Sequence, residues 1–507
     1  MLDWTIYVSF LGALMVGLWP ARYEGGVRRA ALGAALAGAA LGLTGAWQVG
    51  REGGKLITLV DVPWVPELGI RYHLAADGLS AVLVALTGVA AVAGVLFSWN
   101  VRERVREFFA FYLWLVGGVY GVFLSFDLFL LFVFYELAIV PKYFLIAIWG
   151  STRREYGAMK LVLYSFVGSA LVLVALLAAY VWAGMRSFAW ADLVAAGYPR
   201  GFQMWAFPVM FLGFGILAGL WPWHTWAPTG HVAAPTAASM LLAGVVMKLG
   251  AYGCFRVAMP MFPDALRPWG PRVLGLGSWP EVFGLLAVVG IVWAALVALV
   301  QRDFKFVIGY SSVSHMGFVI LGLMTLTEAG WHGAVLQMVS HGLIAGLLFA
   351  VVGRMVYDRA HTRELSELER MELGRALPFA AGTFVLAGAA SAGMPGFSGF
   401  MAEVHVLLGV WQVWPLWVWV TAAGVVLGAA YVWRAMQRAF FGERPADGLH
   451  VAPPEGWGPI TGAERWGTVL LLTGVIGLGL FPRIVTEVAG PVLRGPVFGT
   501  LQGGGLW

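Results

Sequence analysis

The chain has 507 residues, of which 60% are hydrophobic and 12% are charged, whereas an ordinary soluble domain carries about 25% charged residues. With a mean hydropathy of +0.81 and repeated apolar runs of about 18 or more residues, this composition excludes a soluble globular protein and predicts a polytopic membrane protein. The net charge of +5 does not indicate nucleic-acid binding, because the basic residues are spread through the loops and form no single patch.

About 14 apolar segments are long enough to form membrane-spanning helices. The first follows Asp3 and has no basic residue before it, which favours a retained helix over a cleaved signal peptide. An all-α polytopic membrane protein is therefore the predicted fold class. The predicted segments, in chain order, are 2–20, 30–48, 78–100, 108–125, 127–149, 158–183, 204–222, 236–259, 280–301, 304–326, 332–357, 378–410, 413–441 and 466–488.

Two loops between these segments are long enough to carry structure of their own. Residues 49–77 contain prolines and several β-branched residues, which favours a small hairpin or an irregular cap on the outer side. Residues 358–376 are dense in alternating acidic and basic side chains. That pattern is typical of a short helix, here on the inner side, that is either solvated or in contact with a neighbouring subunit.

The distribution of Lys and Arg among the loops predicts the orientation of the chain. If the N-terminus faces the outer side, the inner loops hold about 19 basic residues and the outer loops about 10. Basic loops tend to stay on the cytoplasmic side. We therefore predict a multi-pass protein of the inner (cytoplasmic) membrane with an even number of helices and both termini outside.

Two predicted segments contain helix-breaking residues in the middle of the membrane. Proline removes a backbone hydrogen bond and glycine weakens a helix, and in lipid the freed carbonyl groups must face protein or water. Paired interruptions of this kind are typical of inverted-repeat transporters. The residues concerned are Pro222 at the end of segment 204–222 and Pro228 just after it, and Gly393, Pro395, Gly396 and Gly399 within segment 378–410.

This pairing predicts two inverted repeats of five helices, in which helices 7 and 12 are broken. Residues 1–107 would form helices 1–3 with their outer loop, residues 108–259 helices 4–8, and residues 280–441 helices 9–13. Residues 442–507 would form an inner loop, helix 14 and a tail.

Four ionisable side chains lie deep within apolar segments: Glu136, Lys160, Lys248 and Glu403. Each costs about 2.5–3.5 kcal/mol at the centre of a bilayer, so a chain retains such residues where they line an ion path. Lys160 lies near the inner end of its segment, where it either snorkels to the surface or joins that path. The pattern indicates translocation of protons or other cations.

Five stretches of the chain resemble the antiporter-type subunit M (chain 4) of respiratory complex I, the proton-translocating NADH–quinone oxidoreductase. These stretches are FDLFLLFVFYELAIVPKYFLIAIWG, WHTWAPTGHVAAPTAASMLLAGVVMKLGAYG, FKFVIGYSSVSHMGFVILG, GAVLQMVSHGLIAGLLFAVVGR and AGMPGFSGFMAEVHVLLG. The resemblance extends over roughly residues 75–445. Glu403 matches the M type, because the related L and N subunits and cation/proton antiporter chains usually carry Lys there. A subunit of a cation/proton antiporter or of a membrane hydrogenase-type complex is the alternative interpretation.

The resemblance implies a chain of polar residues across the middle of the membrane. Histidine titrates near physiological pH and can relay protons, and buried carboxylates and lysines respond strongly to neighbouring charge. The residues that match the proton path of the family are Glu136, Lys248, His315, His341 and Glu403. Further candidates are Lys142, Lys160, His224, His231, Lys305 and His405.

We expect this chain to carry no cofactor of its own. Its one cysteine, Cys254, can neither form an internal disulfide nor hold an iron–sulfur cluster, and the chain has no nucleotide-binding glycine motif. The resemblance places flavin, iron–sulfur clusters, NADH and quinone in partner subunits. The expected partners are other membrane subunits of complex I, including other antiporter-like subunits, and membrane lipid, but no nucleic acid.

The first repeat departs from the pattern of the family. The family usually has a lysine in helix 7, and alignment on the motif WPWH places Leu217 there, while Lys142 stands where the family often has Met. His405 is also unusual. Either Lys142 supplies the missing cation to Glu136, or the first repeat has lost coupled pumping and the chain acts mainly as a scaffold. Six residues put Lys142 near the opposite face of a helix from Glu136, although Pro141 bends that helix.

Overall fold

The structure is a computed structural model that describes residues 1–20, 22–269, 275–442 and 457–502. Within these ranges, 12 helices are long and apolar enough to cross a membrane, and two shorter apolar helices bring the set to 14. Each predicted segment contains a helix from this set, so the predicted all-α polytopic fold is confirmed. Most of the loop predicted after residue 441 lies outside the described residues.

The helices are numbered α1–α14 along the chain, and a further helix, α15, follows them. They are α1 (Trp4–Leu18), α2 (Glu24–Arg51), α3 (Gly78–Phe97), α4 (Val105–Leu124), α5a (Leu128–Leu137), α5b (Ile139–Trp149), α6 (Arg154–Trp182), α7a (Arg200–Ala218), α7b (Trp226–Ala233), α8 (Thr236–Met261), α9 (Trp279–Val300), α10 (Phe304–Met324), α11 (Glu328–Ala360), α12a (Pro378–Ser391), α12b (Ser398–Val413), α13 (Pro415–Phe440), α14 (Gly462–Leu480) and α15 (Arg483–Leu493). The predicted segment 466–488 is wrong as one helix, because the chain turns at Pro482 between α14 and α15.

Residues 49–77 contain the predicted hairpin. Strands β1 (Ile57–Val65) and β2 (Ile70–Ala76) pair antiparallel. The turn between them includes Gly69 at φ +66°, a left-handed conformation that glycine adopts without steric cost. We call the end of the bundle that carries this hairpin the hairpin face and the other end the opposite face.

Backbone and side-chain contacts fix the hairpin to the helices. The backbone N–H of Arg71 donates to Asp127 Oδ2 at 3.0 Å, and Asp127 also accepts hydrogen bonds from the first turn of α5a. The Arg71 side chain forms an ion pair with Asp61 at 2.6 Å, and this hydrogen bond lowers the pKa of Asp61. The hairpin therefore has a defined position over the start of α5a.

Both predicted breaks are confirmed. Helix α7a ends before Gly219, which has φ +84°, and a single 3₁₀ turn, Trp223–Thr225, precedes α7b. Residues 392–397 separate α12a from α12b, and they include Gly393 at φ +71° and Gly396 at φ +93°. Each break leaves backbone polar groups within the protein interior, as a membrane protein requires.

A third break divides the segment predicted as one helix at 127–149. Ala138 forms a turn between α5a and α5b. Pro141 lacks the N–H that would bond to the carbonyl of Leu137, and its ring clashes with that carbonyl. This proline therefore interrupts the hydrogen-bond pattern of the helix three residues before its own position, while Ala138 keeps dihedral angles of φ −79° and ψ −17°, which agrees with the bend expected from the sequence.

Residues 358–376 form three one-turn helices in place of the single short helix that the charge pattern predicts. They are Leu365–Leu368, Glu369–Met371 and Leu373–Ala376. Glu372 lies at φ +47°, a left-handed conformation that a continuous helix does not contain. The segment is thereby folded back onto the opposite face.

Helices α8 and α11 form the centre of the bundle. The most apolar window of each is 100% buried inside the chain, whereas only 28% of the corresponding window of α13 is buried. Because α8 and α11 carry Lys248 and His341, those side chains are shielded from lipid on all sides.

Candidate functional site

Lys248 and His341 meet where α8 and α11 cross. Two π-helical turns, Leu242–Val246 and Cys254–Ala258, flank the α-helical turns that carry Lys248. A π-helical turn changes the backbone hydrogen-bond pattern and often marks a functional position. Here Lys248 Nζ donates to the carbonyl of Ala243 and lies 2.6 Å from His341 Nδ1.

A pair of glycines allows the two helices to approach this closely. A Cβ atom on Gly342 of α11 would lie 2.7 Å from the carbonyl oxygen of Gly244 on α8. Real Cβ contacts do not come this close, so any larger residue at Gly342 would push the helices apart. The short Lys248–His341 contact therefore depends on the absence of side chains at Gly342, next to His341, and at Gly244, four residues before Lys248.

His315 connects this pair to the broken helix α12. Its ring centroid lies 5.5 Å from that of His341. Its Nδ1 atom is 3.0 Å from Gln337 Nε2 and 3.6 Å from Glu403 Oε1, and its Nε2 atom is 3.1 Å from Ser391 Oγ. All five side chains are buried. We call Lys248, His341, His315 and Glu403 the central file.

The break in α12 shapes the end of the central file. Glu403 lies on α12b, and its Oε2 atom occupies the space in which a Cβ on Gly393 would fall. The hydroxyl groups of Ser340 and Ser398 lie 2.7 Å apart and join α11 to the start of α12b. A continuous helix would have a side chain where Glu403 now packs against bare backbone.

The central file has the chemistry needed to pass protons. An ammonium group only donates hydrogen bonds, whereas each imidazole can accept at one ring nitrogen and donate at the other. When Lys248 is charged, His341 Nδ1 accepts its hydrogen bond, and when Lys248 is neutral the bond can run the other way. Glu403 can take a proton from His315 across 3.6 Å with a small movement or through one water molecule.

His231 and Lys305 form a second polar cluster near the central file. His231 on α7b is fully buried, its ring centroid lies 4.9 Å from that of Phe349, and neither ring nitrogen has a hydrogen-bond partner among the described residues. Lys305 at the start of α10 donates to the carbonyl of Ala234 at 2.6 Å. Lys305 therefore satisfies a carbonyl at the end of α7b beside a histidine that is free to accept a proton.

Lys305 also borders a cleft that opens on the opposite face. The cleft has a volume of about 370 Å³ and lies between the ends of α3, α5b, α8, α10 and α11. Its polar lining residues include Asn100, Ser151, Lys305 and Asp358. Lys305 is 3% exposed and therefore lies at the inner boundary of this cleft.

His224, in the turn before α7b, and Lys160, on α6 beside α7b, lie outside the central file. His224 is buried with its ring 6.3 Å from that of Tyr310. Lys160 on α6 is partly buried and donates to Thr229 Oγ1 of α7b at 3.3 Å. Lys160 therefore has a defined protein partner, although its surroundings are more polar than those of Lys248.

The first repeat contains Glu136 and Lys142 but no lysine on α7a at the position of Leu217. Glu136 interacts with the hydroxyl of Ser169, and its Oε1 atom has no hydrogen-bond partner among the described residues. Leu217 is 2% exposed and lies in an apolar environment. The structure therefore brings Glu136 close to Ser169, with Lys142 six residues further along the same helix, whereas the central file belongs to α8 and the second repeat.

His405 is not part of the central file. Its Nδ1 atom lies 2.7 Å from the carbonyl of Met401, and its backbone packs against Gly333 of α11. Since His405 is two residues from Glu403 on the same helix, the two side chains point to nearly opposite sides of the helix axis.

Sequence reasoning missed the neutral members of this site. Gln337 and Ser391 contact His315, and Ser340 and Ser398 contact each other beside it. One signal was available, because Gln337 precedes His341 by four residues and so lies on the same face of α11. Neutral polar residues cost less in a membrane than charged ones and therefore stand out less in an apolar segment.

Comparison with known proteins adds an independent line of evidence. Residues 125–428 match the family described as "NADH:quinone oxidoreductase/Mrp antiporter, TM". The chain is 38% identical to NADH-quinone oxidoreductase subunit M of Rhodobacter capsulatus over 85% of its own length and 82% of that protein. It is 35% identical to NAD(P)H-quinone oxidoreductase chain 4 1 of Picosynechococcus sp., over 95% of its own length and 89% of that protein.

The chain belongs to the NADH:quinone oxidoreductase/Mrp antiporter family. The resemblance found in the sequence is thus confirmed.

Solved structures share the fold over the whole chain. A chain of respiratory complex I from Thermus thermophilus with bound NADH matches 99% of this chain and 100% of its own length, at 25% identity and a TM-score of 0.85. A chain of the Mrp complex from Dietzia sp. covers 99% of both chains at 19% identity and a TM-score of 0.81. The second match shows the fold alone. Respiratory complex I is a membrane complex of several subunits, and the match to one of its chains supports membrane subunits as the partners of this type of chain.

Proposed function

We propose that the chain is the subunit M (chain 4) type of membrane-arm subunit of an NADH–quinone oxidoreductase and that it translocates protons. The observation that carries the proposal is the central file, in which Lys248, His341, His315 and Glu403 follow one another within contact or near-contact distance inside a buried core. The family relationship and the curated names of the relatives support the same function.

The composition of the central file favours protons over metal cations. Lys248 carries a positive charge in its protonated form and repels a metal cation at close range. Lysine, histidine and glutamate can each take up and release a proton without any ion having to pass between them. A proton can therefore move along the file while heavier cations stay outside.

The orientation follows from the basic loops. Because Arg354, Arg359 and Arg363 cluster on the opposite face, we place that face on the cytoplasmic side and the hairpin face outside. The cleft beside Lys305 is then the site of proton uptake, and His231 lies between that cleft and Lys248. NADH, flavin, iron–sulfur clusters and quinone are proposed to bind to partner subunits.

The test is NADH-driven proton uptake per electron in inverted membrane vesicles that carry Glu403→Gln or Lys248→Met. Both changes remove a proton-exchanging group and are expected to lower uptake per electron at matched rates of NADH oxidation. Glu155→Gln is the matched control, because Glu155 is exposed at the start of α6. Unchanged uptake in both variants, with normal assembly of the complex, would contradict the proposal.

The replacement of the helix 7 lysine by Leu217 favours a second candidate function. In that case the first repeat does not pump, and the chain serves mainly to hold neighbouring membrane subunits together. Glu136→Gln separates the two possibilities in the same vesicles. A loss of uptake per electron supports a working first repeat, whereas unchanged uptake with full assembly supports the scaffold function.

A further inference from the structure

The interruption of helix 5 changes which residues of the first repeat can interact. In an unbroken helix, six residues place Glu136 and Lys142 roughly 120° apart around the axis. The regular helical pattern is interrupted at Ala138, so the angle of an unbroken helix does not carry over from α5a to α5b. Gly118 of α4 packs against this turn, with only 3.1 Å between its would-be Cβ and the backbone nitrogen of Ala138. The break is therefore fixed by packing against α4.

Lys142 on α5b is buried although it is a lysine. It is 1% exposed, and its Nζ atom has no hydrogen-bond partner among the described residues. An isolated buried ammonium is costly unless an opposite charge compensates it. Burial of Lys142 therefore requires a nearby anion, a proton-release function, or both.

Glu136 is the one acidic residue of helix 5, and it precedes the buried Lys142 by six residues. Opposite charges at this spacing inside the protein attract each other. Neither the Oε1 atom of Glu136 nor the Nζ atom of Lys142 has a hydrogen-bond partner among the described residues, so neither atom is committed to a competing contact. The two residues are an electrostatic pair without direct contact.

Lys142 also lies on the side of Glu136 that faces the uptake cleft. It comes six residues after Glu136 and seven before Trp149, which lines the cleft. At a rise of 1.5 Å per residue, Lys142 is about 9 Å along the axis from Glu136 and about 10 Å from the cleft residue. A lysine on α7a would lie beside Glu136 on a neighbouring helix, whereas Lys142 lies on helix 5, the helix that carries Glu136.

We propose that Lys142 is the basic partner of Glu136 and takes the place of the helix 7 lysine that Leu217 replaces. This inference rests on the proposed proton-translocating function. When a proton moves from the Lys142 ammonium through intervening water to the Glu136 carboxylate, an N–H bond breaks, an O–H bond forms and both groups become neutral. The first repeat then has an exchangeable proton pair of its own, and the replacement at Leu217 does not abolish coupled pumping.

The experiment compares Lys142→Met, Leu217→Lys and the double variant Lys142→Met/Leu217→Lys in the full complex. Lys142→Met is expected to lower NADH-driven proton uptake per electron at least about twofold. The double variant is expected to recover most of that loss, because Leu217→Lys restores a cation beside Glu136 from α7a. Lys55→Met is the matched control, since Lys55 is exposed at the hairpin face.

A second comparison guards against variants that fail to assemble. Lys142→Arg retains the charge and Lys142→Gln removes it, so lower uptake in the Gln variant alone supports a role of the charge. Adding Glu136→Gln to Lys142→Met should cause little further loss if the two residues act as a pair. Additive losses, or a Lys142→Met variant with normal uptake, would overturn the inference.

The Glu403→Gln variant, measured in parallel, separates this inference from the proposed function. If Glu403→Gln lowers uptake and Lys142→Met does not, only the role of Lys142 is wrong. If neither change lowers uptake in an assembled complex, the proposed function itself is wrong. Recovery in the Lys142→Met/Leu217→Lys variant supports both, because a purely structural lysine on α5b would not be replaced by a lysine on α7a.

Discussion

His315 is the residue on which the central file converges. It contacts an amide, a hydroxyl and a carboxylate through its two ring nitrogens. A neutral imidazole needs one donor and one acceptor as neighbours, whereas an imidazolium needs two acceptors. The amide of Gln337 can donate a hydrogen bond to a neutral His315 or accept one from a protonated His315. Its Oε1 atom is available for the second case, because it has no hydrogen-bond partner among the described residues.

Replacement of Gln337 by Leu should therefore slow proton transfer while leaving the fold intact. One hydrogen bond to His315 is lost, worth about 1 kcal/mol or roughly fivefold in an equilibrium constant. We expect lower proton uptake per electron, measured in inverted vesicles. Gln437→Leu is the control, because Gln437 is exposed on α13, and equal uptake in both variants would argue against a role of Gln337.

The sequence located the charged members of the site but not their contacts. Glu136, Lys248 and Glu403 stand out because a charge in an apolar segment is costly. The Lys248–His341 contact depends on π-helical turns in α8 and on the approach of Gly244 to Gly342, which no hydrophobic periodicity reports. The sequence therefore predicts which groups titrate, while packing decides which of them meet.

At the scale of elements, irregular backbone is concentrated where the titratable groups lie. The broken helices α5, α7 and α12 and the π-helical turns of α8 all border one of these groups. Prolines and glycines predicted the breaks at α7 and α12. Pro141 predicted a bend in α5, and the structure places the interruption of the helical pattern at Ala138.

The two left-handed glycines in the break of α12 provide a test of this arrangement. Alanine at Gly393 or Gly396 adds the same kind of backbone strain, of about 1–2 kcal/mol. Only the Cβ at Gly393 would also meet the carboxylate of Glu403, whereas nothing lies within 4 Å of a Cβ at Gly396. We expect Gly393→Ala to lower proton uptake per electron well below Gly396→Ala, at matched amounts of assembled complex. Equal effects would show that strain alone matters.

Two glycines on α11 test the contact between α8 and α11. Gly342→Ala is expected to separate Lys248 from His341, because its Cβ would overlap the backbone of Gly244. Gly346→Ala is the control one turn later, where the Cβ would be an ordinary 3.8 Å from Leu471 Cδ1. Proton uptake should fall in the first variant and remain near normal in the second. The reverse order would contradict the proposed contact.

At the scale of the whole molecule, two kinds of buried charge can be distinguished, one exchangeable and one locked in an ion pair. The central file consists of groups that can gain or lose a proton without a fixed ion pair. By contrast, Arg256 of α8 and Asp77 at the start of α3 form a buried ion pair at 2.6 Å, with side chains 3% and 4% exposed. This ion pair joins the central helix α8 to α3 at the hairpin face. It thereby fixes the position of α8, the helix that carries Lys248 of the central file.

The locked pair gives a prediction about stability that is separate from pumping. Asp77→Asn keeps the cap on α3 but leaves the buried Arg256 guanidinium without its counter-charge, which should destabilise the fold by about 3–5 kcal/mol. The exposed pair Arg71–Asp61 has the same 2.6 Å separation, with side chains 39% and 38% exposed, and Asp61→Asn should have a much smaller effect because water screens it. Thermal unfolding of the purified complex in detergent measures both. If Arg256→Met is added to Asp77→Asn, part of the lost stability should return, because no unpaired charge then remains buried. A strictly additive loss of stability would show that the ion pair is not what holds α3 to α8.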